Sequence, residues 1–163
     1  MNVSDAARIQ RLECQFRDFL EEGLRGVPLD LLPEPAIPSR WSALDNLAHL
    51  GRYHEVFQER LDQMLRTKSP TFSRYRAEDD PLWEAWRKLT ATEVLTKISS
   101  LRDQVLARLK TLQADDFLRV GVHPKFGEMT VALWLEFFLV HEGHHLYVVL
   151  QQVRSLARAR AGS

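Results

Sequence analysis

Residues 131–153 read VALWLEFFLVHEGHHLYVVLQQV, and this stretch decides how the chain folds. It is apolar on most faces of a helix, which implies a central position in a helical bundle. Three of the six histidines fall inside it, at His141, His144 and His145. His141 and His145 are four residues apart and share one helical face. They continue a stripe of Val131, Trp134 and Phe138 that should face the core. A buried imidazole without a partner costs about 1–3 kcal/mol. Two on one stripe therefore need a common explanation, which is either a shared divalent metal or a hydrogen-bonded polar network.

Three further helices are predicted upstream. The first spans about residues 4–22, with Ser4 as its cap and Ile9, Leu12, Phe16, Phe19 and Leu20 at helical spacing. Gly23, Gly26 and Pro28 end it, and Pro33, Pro35 and Pro38 make an extended linker. The second spans about 41–66, opened by a capping box of Ser42 and Asp45. The third spans about 80–113, with Asp80 as cap, Pro81 as first residue and a kink expected at Thr90–Thr96. Residues 115–128 read as a loop, and the fourth helix runs over about 130–153. No period-two pattern stands out. The expected fold is all-α, a single four-helix bundle domain over residues 1–163, in which metal sites are built from side chains on facing helices.

Composition narrows the function. Lysine plus arginine and aspartate plus glutamate balance at 22 each, so nucleic acid is not implied as a partner. The basic cluster Arg154, Arg158 and Arg160 suits a helix C-terminus. Cys14 is the sole cysteine, which excludes an intrachain disulfide and fits a reducing cytoplasm. Its neighbours on the first apolar stripe make it a packed thiol. Charges and histidines break the long apolar stretch short of the roughly 20 residues a membrane span needs. The N-terminus carries no secretory apolar segment.

A third ligand for the pair is best sought at His49, in the middle of the second helix. His144 could replace His145 on the same side. His54, five residues past His49, points away and is expected at the surface. His123, beside Pro124, reads as a turn residue at the rim of a cleft. Gly143 weakens its helix by about 1 kcal/mol relative to alanine. Either a close helix approach, room above the site or simple tolerance explains it. Three neutral histidines would leave positions open to water or substrate, as catalytic sites do. Imidazole accepts zinc, nickel and related ions, so the sequence does not select one.

The string His141-Glu142-Gly143-His144-His145 also satisfies H-E-x-x-H, the zinc metalloprotease pattern, with Glu142 as general base. Such proteases carry strands, and residues 146–163 supply no further histidine or carboxylate, so this is the lesser reading.

Three segments together resemble the DinB-like (DinB/YfiT) superfamily of metal-dependent four-helix bundles. They are Trp41-Ser-Ala-Leu-Asp-Asn-Leu-Ala-His49-Leu, His123-Pro-Lys-Phe-Gly-Glu-Met-Thr130 and His141-Glu-Gly-His-His145-Leu. Each is weak alone. Their order covers nearly the whole chain. The resemblance implies an up-down-down-up helix order and a metal held by His49, His141 and His145. It further implies a homodimer, and S-transfer with a low-molecular-weight thiol or hydrolysis of a small-molecule substrate. The chain departs from the family at Val148, where members often carry a polar residue.

The expectation is thus a cytoplasmic metalloenzyme in which a divalent ion activates a thiol or a water. Glu142 and Tyr53 are candidate catalytic residues, and Arg52 and His144 candidate cofactor-binding ones. The alternative is a non-enzymatic bundle in which the metal staples the helices.

Overall fold

The computed structural model describes residues 3–162. Four long helices carry it: α1 Val3–Asp18, α2 Ala43–Arg66, α4 Ala91–Lys110 and α5 Val131–Ala161, with a five-residue helix α3 at Trp83–Arg87. The all-α bundle predicted from the sequence is the fold observed.

Caps set the helix starts. The Ser42 hydroxyl accepts the Asp45 N–H at 3.0 Å, while the Asp45 carboxylate accepts the Ser42 N–H at 2.9 Å. Each satisfies a backbone donor that the first helical turn leaves unpaired. Thr90 and Glu93 repeat the device at the start of α4, and Thr130 caps α5 by accepting from Leu133. The Thr90 box explains why the predicted third helix is broken rather than kinked. Asp80 caps only a short turn, by accepting from the Leu82 N–H at 2.9 Å.

Other boundaries differ from expectation. Ser4 lies inside α1 rather than capping it. The first helix ends in a π turn at Phe19–Gly23. The fourth runs two turns past Val153, and Arg160 there pairs with Asp30 and Glu34. Residues 115–128 are not a plain loop. Val120–His123 (β1) and Gly127–Thr130 (β2) form an antiparallel hairpin, with Val120 opposite Thr130 and His123 opposite Gly127. A parallel bridge joins Thr71 to Val122. The buried position of β1 is Gly121, where a Cβ would lie 2.5 Å from Phe72 and 2.8 Å from the Met64 sulfur. The strand's inward residue is thus a glycine, which erases the apolar alternation that would have betrayed it.

Cross-helix pairs fix the directions. Arg8 meets Glu136 and Gln15 meets Glu142, so α1 and α5 run parallel. Glu55 meets Lys97 and Asp62 meets Arg108, so α2 and α4 are parallel too. His49 meets His141 while Asn46 meets His145, so α2 and α5 are antiparallel. The order is up-down-down-up. The apolar core falls into two clusters along the bundle. One gathers Phe57, Trp134 and Phe138, the other Leu47, Trp86 and Val149. Between them, at the level of residues 141–145, lies a layer of polar side chains. Among the described residues no helix is long and apolar enough to cross a membrane.

Candidate metal centre

On one side of this polar layer, α2 presents His49 and α5 presents His141 and His145. One ring nitrogen of each lies within 4.8 Å of the others. The Nε2 atoms of His49 and His141 are 3.1 Å apart. Two imidazoles on one tetrahedral zinc would hold their nitrogens about 3.3 Å apart, given Zn–N bonds of about 2.0–2.1 Å. The donor set therefore fits a divalent ion.

A neighbouring side chain orients one of the rings. The Asn46 side-chain oxygen lies 2.8 Å from His145 Nδ1, so that nitrogen carries the proton and donates. His145 Nε2 is left with its lone pair for the site. Asn46 is itself anchored by donating to the Ser42 carbonyl at 2.8 Å. His49 Nδ1 and His141 Nδ1 are buried without a hydrogen-bond partner among the described residues. Those two rings are held instead by aromatic packing. Trp41 lies 5.1 Å from the His49 ring, and Tyr53 lies 4.3 Å from the His141 ring.

Burial keeps all three rings neutral. It lowers His49 to about 4, against a weaker pull from the charge of Glu78. It lowers His145 to about 3, helped by His49 and His144. His141 is lowered furthest, by burial first and then by His145 and His49. Neutral imidazoles near pH 7 offer lone pairs, which metal binding requires.

A cavity of about 530 Å³ opens beside His141. Tyr53, Tyr75 and Phe137 line it together with Arg60, Arg74 and the hairpin turn His123–Phe126. Burial raises the Tyr53 phenol to about 12, so it is a neutral hydrogen-bond donor there. His123 both rims this cavity and closes the turn, its Nδ1 accepting the N–H groups of Lys125 and Phe126 at 3.1 Å each.

Several sequence expectations need correction. His54 is not at the surface; it is fully buried. Five residues past His49 it has rotated about 140° around α2, which turns it onto α4. Its Nδ1 donates to the Leu50 carbonyl at 2.7 Å, and its Nε2 faces Arg102. Glu142 is also fully buried, on the face of α5 next to the triad's, about 100° round the helix from His141. Arg102 grips both of its oxygens, and Gln15 donates to it at 2.8 Å. Burial pushes the Glu142 carboxyl up, against the pull of Arg102 and Gln15. A carboxylate so engaged is no general base at the triad, which removes the protease geometry. Arg52 is not solvated but ion-paired, at the wall of a cavity that does not include the three imidazoles. It is buried among Asp80 at 2.7 Å, Glu59 at 3.2 Å and Glu55 at 3.3 Å. His144 is exposed, its ring beside His145 but outside the triad. Gly143 serves neither close packing nor an open site, since a Cβ there would meet only Gln15 at 3.9 Å.

Three residues of the site were not anticipated. Asn46 lay in the sequence one turn before His49, a spacing that could have marked it. Tyr75 and Glu78 arrive from the connection between α2 and α3, which carries no local signal of what it approaches.

The sequence profile of the DinB superfamily matches residues 15–149. An uncharacterized protein of Bacillus subtilis, YuaE, is 25% identical over 152 residues, covering 83% of this chain and 91% of its own length. Among solved structures, YfiT from Bacillus subtilis superposes with a TM-score of 0.75 at 21% identity, covering 94% of this chain and 87% of that one. It is described as a probable metal-dependent hydrolase with an unusual four-helix bundle topology. At this identity the likeness is one of fold.

Proposed function

This chain belongs to the DinB superfamily, and from that premise we propose that it is a metal-dependent enzyme of the hydrolase type. One observation carries the reading: three neutral imidazoles converge within 4.8 Å beside a cavity large enough for a small molecule. A divalent ion held by His49, His141 and His145 would supply Lewis acidity and lower the pKa of a water or thiol.

The chain's own residues do the rest. Asn46 fixes the tautomer of His145. Tyr53, neutral at working pH, can donate a hydrogen bond to an oxygen of the substrate beside His141. Glu78 is our candidate for accepting a proton, because its charge reaches His49 while Glu142 is engaged by Arg102. Among the described residues no carboxylate lines the cavity itself. That favours a second reading, in which the nucleophile is a low-molecular-weight thiol transferred to the substrate. A thiol is far more acidic than water and needs less help from a base. A cytoplasmic homodimer taking a small-molecule substrate completes the proposal.

Metal content by mass spectrometry tests it, on the parent protein and on His49→Ala and His141→Ala. We expect near-stoichiometric zinc or nickel in the parent, none in the variants, and variants that remain folded. The metal-loaded protein should then turn over esters, amides or thiol-acceptor pairs. No metal after incubation with either ion overturns the proposal. Unfolding of the protein on metal removal would move it to a structural role.

A further inference from the structure

Arg60 is a buried cation with no carboxylate counter-ion among the described residues. It is 8% exposed, and among the described residues no carboxylate lies within ion-pair distance of it. The neighbouring acid, Glu59, pairs with Arg52 and reaches Arg60 only as a more distant charge, while the Tyr53 phenol oxygen accepts a hydrogen bond from Arg60. Arg60 Nη2 donates to the Ser73 carbonyl at 2.9 Å, and its guanidinium lies over the Phe72 and Trp134 rings at 5.4 and 5.2 Å. Burying a charge is costly unless it is paired, so an unpaired buried guanidinium marks a place where an anion is wanted. Arg60 lines the cavity that opens beside His141. Apart from Pro124 the rest of that wall is aromatic or cationic, with Tyr53 buried, Tyr75 and Phe137 half-buried, and Arg74 and Lys125 on exposed positions.

We propose that this cavity takes a small carboxylate with a flat apolar body, its carboxylate paired by Arg60 and its far end beside His141. A planar guanidinium matches a carboxylate with two parallel N–H donors. The aromatic walls match a ring or unsaturated chain. A cavity of about 530 Å³ holds a molecule of that size. Arg74 and Lys125 add attraction at the mouth that salt screens, whereas the pairing with Arg60 is shielded from it. The placement beside His141 rests on the proposed function; the anion preference does not.

The test is calorimetric titration with 2-naphthoate and its neutral isostere 2-naphthamide. Metal-free protein is used first, so that no carboxylate can bind through an ion. The carboxylate should bind at least about tenfold tighter than the amide, the usual range for a charge-assisted pair. Arg60→Met should erase that preference while thermal stability and metal uptake hold, and Arg60→Lys should restore part of it. Equal binding of the two ligands by the parent protein overturns the inference, as does a preference that survives Arg60→Met, or no binding of either at millimolar concentration. If Arg60→Met fails to fold, the parent comparison alone decides. A protein that prefers the carboxylate but takes up no metal would keep this inference and sink the proposed function.

Discussion

Asn46 decides which nitrogen of His145 faces its neighbours. Carboxamide partners of this kind fix the tautomer and orientation of metal-binding imidazoles, and losing one costs about 10–100-fold in affinity. Asn46→Ala should weaken zinc or nickel binding by that factor in a chelator competition, with little change in fold. Unchanged affinity would mean that packing alone orients the ring. The histidines also set an acid limit. His49 and His145 in the folded chain take protons only near pH 4 and 3, and buried His54 near 3. In the unfolded chain each titrates near 6.5. As pH falls below about 6.5 the unfolded chain binds protons the folded one refuses, so stability drops, by about 1.4 kcal/mol per histidine per pH unit. Urea midpoints of metal-free protein at about pH 7 and pH 5.5 should show the fall, and a flat profile would contradict it. The pair His141 and His145 was legible because four residues on one helix is local geometry. The role of His54 was not, because it depends on Arg102, 48 positions away and brought in by α4.

Two glycines in the helices behave oppositely. At Gly51, on α2, a Cβ would sit 2.2 Å from the Trp86 ring, so α3 docks where a side chain is missing. Gly51→Ala should cost about 1–3 kcal/mol through overpacking. At Gly143 a Cβ makes only an ordinary contact with Gln15. Gly143→Ala should be neutral or stabilise by up to about 1 kcal/mol through helix propensity. Chemical denaturation of the pair checks both, and equal effects would refute the distinction. Helices were legible from the sequence where a cap or an apolar stripe lay within one turn, as at Ser42 and Thr130. The hairpin was hidden because Gly121 occupies its inward position, and the start of α4 showed only as a weak stretch at Thr90–Thr96, which reads as a kink unless the Thr90–Glu93 capping box is recognised.

Across the whole molecule, one polar layer divides the core. The triad occupies one side, and on the other Glu142, Arg102, His54 and Gln15 tie all four long helices together. Removing one partner of a buried ion pair strands the other, at about 3–5 kcal/mol. Glu142→Leu should therefore destabilise by that amount, while Glu142→Leu combined with Arg102→Met should recover most of it. A double variant as unstable as the single one would show that the network is not a paired unit. The bundle class was readable from helix count and periodicity. Which helices meet was not, since the same stripes admit several packings and only partners such as Glu55 with Lys97 choose among them.

The parallel run of α2 and α4 obliges the chain to travel back along the outside of the bundle before α4 can begin. That return, with the hairpin before α5, furnishes Arg74, Tyr75, Lys125 and Phe126 to the cavity wall, whereas the three imidazoles stand on helices. Recognition and reactivity thus reside on separable parts of the chain. Insertions and exchanges in surface connections are tolerated far better than in packed helices. A lineage built on this plan can change its substrate by rewriting the wall and inherit the imidazoles unaltered.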